Sequence, residues 1–258
     1  MVTLEVCCGN LESVHAAVKG GAPRIELCQD LELDGLTPAW EDLKTARALY
    51  PLLVIHVLIR PRAGDFCYSP AEVAQMEEEI VTALDLGADG IVTGALNPEG
   101  MIDLPVMERL VQTVEDWSLN RQLLSDACHA SNDDHFFPSP FRRPSITFHR
   151  AFDRCRWPFE ALEEIIGLGC DRILTSGCAP SAAEGTDLIR ELQKRAGDRL
   201  ILLPGGGISP QNARRILSLT GCTELHASAS QVIDGQKRTS ATLVAEVLTS
   251  CSGSGAGV

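Results

Sequence analysis

The sequence predicts a single-domain α/β protein built as a (β/α)8 barrel, the TIM-barrel architecture, and three observations carry that expectation. The first is length: 258 residues is close to the roughly 250 that one such barrel takes. The second is a repeated turn. Gly21-Ala22-Pro23-Arg24-Ile25, Gly87-Ala88-Asp89-Gly90-Ile91, Gly169-Cys170-Asp171-Arg172-Ile173 and Gly221-Cys222-Thr223-Glu224-Leu225 each follow a helix-like segment and open a short apolar run. Glycine supplies the left-handed conformation that ends a helix, and the small residue after it packs under the incoming strand. The third is the count of strand-like runs, which fall near 4–7, 25–28, 53–59, 90–93, 145–149, 172–175, 200–204 and 224–227 with helical patterns between them. Such alternation predicts a parallel sheet, and eight strands at this size favour a closed barrel over an open doubly wound sheet.

The helices can be read in order. Asn10 is placed to cap a helix from Leu11 to Lys19, with Val14 and Val18 at four-residue spacing. Ser69 and Pro70 open a helix to Leu86 as cap and first helical residue. Pro158 to Leu168, Ala183 to Ala196, Gln211 to Leu219 and a final Ala241 to Leu248 complete the pattern. Between 115 and 144 no clean period is found, but there are His129, Ser131, Asn132, Asp133, Asp134 and three prolines. This reads as an irregular insertion on an αβ connection, on the face that serves stability. The expected organisation is a barrel over 1–249 with that insertion, then a flexible tail over 250–258.

Composition excludes several functions. The formal net charge of −13 opposes binding to nucleic acid, which needs a basic patch facing phosphates, and opposes attraction to anionic membranes. No run approaches the ~20 apolar residues of a membrane span. A strand-like segment, Val2 to Cys7, starts at once, and no leader is visible. Ten cysteines form no C-x-x-C pair, and a chain this long and apolar needs no disulfide framework. A reducing compartment, the cytoplasm, is expected. With only 5% aromatic residues, the core is expected to be filled by Leu, Ile, Val and Ala.

Polar residues at the C-terminal ends of barrel strands read as functional, on the expectation of an apolar interior below them. The first two strands repeat one pattern, Glu5-Val6-Cys7 and Glu26-Leu27-Cys28. Alternation puts Glu5 with Cys7 and Glu26 with Cys28 on one face, and adjacent strands about 4.8 Å apart let both thiols approach one small ion. Soft thiolates select Cu(I) over hard cations; the plain alternative is a pair of packed thiols. Cys8, of opposite parity, is expected to pack outward, while Cys67 and Cys178 are candidates to face the same mouth. Arg60 and Arg62 flank a glycine turn that suits a carboxylate or phosphate clamp. His149-Arg150-Ala151-Phe152-Asp153 offers an acid–base histidine with a carboxylate to orient it. The alternative is a buried network in which Arg60 and Arg150 pair with Glu5 and Glu26. Gly205, Gly206 and Gly207, before a helix opening at Ser209-Pro210, suit an anion. His226 and Ser228 close the eighth strand as candidate donors or ligands. His15, His56, His129 and His135 have no such placement and are expected outside the site.

Together these motifs resemble the CutC copper-homeostasis family. The likeness runs through Glu5-Val6-Cys7, Arg24-Ile25-Glu26-Leu27-Cys28, Thr37-Pro38, Ile59-Arg60-Pro61-Arg62-Ala63-Gly64-Asp65-Phe66, Leu86-Gly87-Ala88-Asp89-Gly90 and Gly94-Ala95-Leu96. It continues through Thr147-Phe148-His149-Arg150-Ala151-Phe152-Asp153, Leu174-Thr175-Ser176-Gly177, Pro204-Gly205-Gly206-Gly207-Ile208 and His226 with Ser228. Ala63 and Asp34 stand where that family usually has glycine, and Ser230 where a basic residue is common. The resemblance implies a cytoplasmic barrel that self-associates as a dimer or tetramer and is linked to copper, with Cys7 and Cys28 as Cu(I) ligands. A second expectation is an enzyme acting on a small anionic or phosphorylated metabolite. In it Glu5, Glu26, His149 and Asp153 handle protons, and Arg60, Arg62, Arg150, Gly205, Gly206, Gly207, His226 and Ser228 bind substrate.

Overall fold

A computed structural model of the chain describes residues 2–130, 142–233 and 236–252. Eight parallel strands alternate with helices in the order β1 (Thr3–Cys8), α1 (Leu11–Lys19), β2 (Arg24–Leu27), α2 (Trp40–Leu49), β3 (Val54–Leu58), α3 (Pro70–Asp85), β4 (Gly90–Thr93) and α4 (Leu104–Ala130). Then follow β5 (Ser145–Phe148), α5 (Pro158–Gly167), β6 (Arg172–Thr175), α6 (Thr186–Ala196), β7 (Ile201–Pro204), α7 (Ala213–Thr220) and β8 (Glu224–Ala227). Strand pairing runs continuously from β7 down to β1 and on to β8. A single parallel bridge between Gly205 and His226 joins β7 to β8 and closes the ring. The structure is one (β/α)8 barrel.

The local chemistry read from the sequence accounts for the elements. Gly21, Gly87, Gly169 and Gly221 all have positive φ, between 75° and 94°, so each of the four repeated turns uses its glycine as the left-handed residue. The Asn10 side chain accepts the Ser13 amide at 2.9 Å. Ser69 and Glu72 form a reciprocal capping box at the start of α3, with Pro70 as its first residue. The apolar strand residues that alternate outward, such as Leu4, Val6, Ile25, Leu27, Ile55 and Val57, are fully buried against the helices. Cys8 joins them, as its parity predicts.

Several stretches depart from expectation. The irregular insertion is largely helix: α4 runs to Ala130. Its apolar face is packed through Val114 and Trp117, whose indole N–H donates to Asp85 at 2.9 Å. Beyond that the helix outruns the barrel and Leu119, Leu123 and Leu124 are exposed, so no apolar period marks it. His129 lies at its end; His135 is outside the described residues. Residues 142–144 do sit at the N-terminal face, where Arg143 binds Glu115, Asp171 and the Gly169 carbonyl. Helix α7 begins at Ala213 rather than Gln211, because the Asn212 side chain takes up the Ser209 amide and the Gly207 carbonyl in a loop; α6 likewise begins at Thr186, after a turn at Ser181–Glu184. An antiparallel hairpin, β9 (Ser230–Ile233) with β10 (Gln236–Thr239), precedes α8 (Ala241–Ser252). The last helix therefore includes residues 250–252, and the rest of the expected tail lies outside the described residues.

Removal of the Ser69 hydroxyl leaves the α3 amides without their acceptor. Ser69→Ala is expected to lower the unfolding free energy by about 1 kcal/mol, seen as a lower urea midpoint with an unchanged denaturant slope.

Candidate functional site

The barrel interior is not apolar. Residues that alternate inward on six strands build a charged network along the axis. Glu5 of β1 lies at its centre, with one oxygen 2.6 Å from Arg24 Nε and 2.9 Å from His56 Nδ1, and the other 2.9 Å from His226 Nδ1. The His56 approach is an electrostatic contact whose angles fall short of an aligned hydrogen bond. Arg24 also pairs with Glu224, which binds Arg172 at 2.9 Å. His56 Nε2 lies 3.1 Å from Ser145 Oγ. Burial would push the Glu5 carboxyl up, but His226, His56 and Arg24 together hold it well below the ordinary value. His56, expected outside the site, is thus part of its foundation. The expected pairing of Arg60 and Arg150 with Glu5 and Glu26 does not occur, because Arg24, directly opposite Glu5 in the β1–β2 register, takes that role for Glu5.

Above this network Cys7, Cys28, Glu26 and His226 converge. The sulfurs of Cys7 and Cys28 are 3.5 Å apart, and ligand atoms of Cys7, Glu26 and His226 all lie within 4.8 Å of one another. All four residues are more than nine-tenths buried. The hydrogen bond to Cys28, burial and the neighbouring Glu26 carboxylate raise the Cys7 thiol well above its ordinary value. Burial and the charge of Glu5 raise Glu26, against the pull of His226. His226 is raised well above the usual imidazole value: burial opposes this, but Glu26, Cys7 and Glu5 outweigh it. Cys7 and Cys28 share a small interior cluster with Leu58 and Val92.

These groups open into a cavity of about 570 Å³, also lined by Arg60, Phe66, Cys67, Asn97, His149, Arg150, Asp153 and Leu174. Arg60 follows β3 and donates to the backbone carbonyls of Leu33, Gly35 and Gly64 at 2.8–3.1 Å. His149 follows β5. It fits because position 94 is glycine: a Cβ there would lie 2.6 Å from His149 Nδ1. Burial first and the charge of Arg60 second lower the His149 imidazole to about 3, so it is neutral at ordinary pH. Its expected partner is elsewhere. Asp153 accepts from the Ser176 and Cys178 amides, the Thr175 and Ser176 hydroxyls and Arg150, and so fixes the loop after β6 instead of orienting His149.

The remaining candidates lie off the cavity wall. Arg62 is bound to Glu72, Asp65 and the Cys67 carbonyl. Ser228 is exposed and meets Ser230 Oγ at 3.2 Å. Gly205 serves the barrel seam, where a Cβ would stand 2.5 Å from Leu174 Cδ1 and 3.3 Å from His226 Cβ. Gly206 and Gly207 take positive φ values of 94° and 76°, and Cys178 is exposed beside Asp153.

With this geometry in view, the comparisons are specific. The model of the CutC family matches residues 2–133 and 143–231, and a CutC family protein of Bacteroides thetaiotaomicron is 44% identical over 229 residues, spanning 89% of this chain and 81% of that one. The chain belongs to the CutC family. A crystal structure from Streptococcus agalactiae, of a protein bearing the provisional name copper homeostasis protein CutC, superposes with a TM-score of 0.74 at 27% identity, covering 88% of this chain and 99% of that one. Phosphoribosyl anthranilate isomerase of Thermotoga maritima shares the fold, with a TM-score of 0.54 at 11% identity over 97% of this chain and 98% of its own. Among the described residues no helix of this CutC family member is long and apolar enough to cross a membrane, and the cysteines at 7, 8, 28, 67, 155, 170, 178, 222 and 251 are free thiols.

Two outcomes follow for the charged interior. Arg24→Met strips Glu5 and Glu224 of a shared buried partner and is expected to cost about 3–5 kcal/mol in urea unfolding. His149, neutral in the fold but with an ordinary value of 6.5 when unfolded, binds protons only in the unfolded state between those limits. Its contribution is complete above pH 6.5 and is lost as pH falls toward 3, by up to about 1.4 kcal/mol per pH unit. Unfolding free energies of His149→Gln should therefore lose less than the parent between pH 7 and pH 5.

Proposed function

We propose that this CutC family member binds Cu(I) as cargo through Cys7 and Cys28, within the copper handling for which its S. agalactiae relative is named. The observation that supports this is the paired sulfurs 3.5 Å apart at the base of an open cavity. Two bonds of the ~2.3 Å that thiolates make to zinc reach sulfurs up to about 4.6 Å apart, so one ion spans this pair. Thiolate ligands suit a soft cation. Glu26 and His226 stand beside the pair as further ligand atoms. His226, hydrogen-bonded through Nδ1 to Glu5, has the outer carboxylate partner that metal-binding histidines commonly carry.

The same reading places the protein in the cytoplasm, where the thiol pool keeps Cys7 and Cys28 reduced, and in a homodimer or homotetramer. Competition against a chromogenic Cu(I) chelator under anaerobic conditions tests it. One ion per chain is expected, with affinity falling about 100-fold or more in Cys7→Ser and in Cys28→Ser. Because each displaced thiol proton must leave, affinity should also fall about tenfold per pH unit of acidification per proton released. Unchanged affinity in the double Cys7→Ser/Cys28→Ser variant refutes the proposal.

A further inference from the structure

Two hydrogen-bond donors on the cavity wall have no acceptor, and neither belongs to the thiol cluster. Arg60 is only 4% exposed, yet its bonds go to three neutral backbone carbonyls, and no carboxylate pairs with it among the described residues. Its Nε–H is buried without a partner. His149, 5% exposed, accepts the Ala151 amide on Nδ1 at 3.2 Å, which leaves the ring proton on Nε2. That donor is also buried without a partner. The Phe66 ring rests against both groups, 4.9 Å from the His149 ring and 5.0 Å from the Arg60 guanidinium carbon.

Buried charges are rarely left without a counter-charge, and a buried donor without an acceptor is costly. A fold that holds a guanidinium rigidly against three carbonyls, and leaves one edge with an adjacent imidazole N–H, is preorganised for something that only accepts. Two of the wall's acids are already engaged, Asp153 by Arg150 and Asp65 by Arg62. We propose that Arg60 and His149 form a subsite for a small organic carboxylate, held above the thiol pair, with Phe66, Leu96 and Leu174 around its apolar body. A carboxylate offers two oxygens, one for each of two donors that flank the same Phe66 ring. Phosphate is the poorer match, because the glycine loop at 205–207, whose amides would cradle it, is not on the cavity wall. Neither donor atom touches solvent, so the proposal requires wall side chains, Phe66 among them, to shift as the carboxylate enters. The cavity's volume falls in the range that encloses a small metabolite.

The inference stands apart from copper, and its test uses the metal-free protein. Ligand-observed NMR with a panel of monocarboxylates of roughly four to ten carbons, their primary amides and inorganic phosphate is expected to give binding by carboxylates alone. Arg60→Met should weaken the best carboxylate at least tenfold, and Arg60→Lys should recover part of the loss, while Cys28→Ser should change it less than twofold. In the parent protein, whose folding is not in question, 15N-histidine spectra should show the His149 Nε2–H move downfield on saturation while its ring stays neutral at pH 7. Binding of the amides or phosphate as strongly as the carboxylates, no carboxylate bound across the panel, or a His149 signal that does not respond would each overturn the proposal.

Discussion

A carboxylate with no access to water must find its counter-charges inside the protein, and Glu5 finds them on three other strands. Arg24, His56 and His226 each reach it from a different direction, and through Glu224 the chain of contacts extends to Arg172. The thiol cluster is mounted on this arrangement. Cys7 stands one inward step above Glu5, Glu26 one step above Arg24, and His226 spans from Glu5 toward Glu26. The network is a poor source of net stability, since desolvating so many charges is costly. Its physical effect is to fix the rotation of β1, β2, β3 and β8 about their own axes, because a slip of one residue on any of them would bury an unpaired charge.

The barrel divides its chemistry by strand parity. Residues facing outward are almost wholly aliphatic and seal the sheet against the helices. Those facing inward are charged toward the strand N-termini, sulfur-bearing at mid-height, and cationic or aromatic past the strand ends. The C-terminal rim is not a polar surface laid on an apolar plug. It is the open end of a polar column, and this explains how buried thiols, a neutral histidine and an unpaired guanidinium coexist within one cavity.

Much of this was legible in the sequence. The four glycine turns gave the order of elements, and the repeated Glu-x-Cys pattern placed both thiols on one inward face of adjacent strands. What stayed hidden has physical causes. His56 sits between Ile55 and Val57, so alternation alone puts it on the inner face opposite them; its partner Glu5 is 51 residues away, a distance that local reading does not bridge. Arg24 belongs to a repeated turn and to a family motif, and neither reading assigns it a role in the interior, although it precedes Glu26 by two and so shares its face. The end of α4 gave no period because its leucines face outward beyond the barrel. The sequence holds an Asp-Gly pair at 234–235, a strong turn signal that the eight-strand pattern overshadowed. Asp153 was matched to His149 by proximity in sequence, whereas the loop after β6 offered two amides and two hydroxyls that satisfy a carboxylate better.

The closure of the ring is uneven. On one flank β8 is laddered to β1 along its whole length, from Glu224 to Ala227; on the other, a single bridge to Gly205 joins it to β7. His226 is the residue at that bridge. One of the groups that face the cavity therefore stands at the seam itself, while Cys7 lies on a strand laddered on both sides.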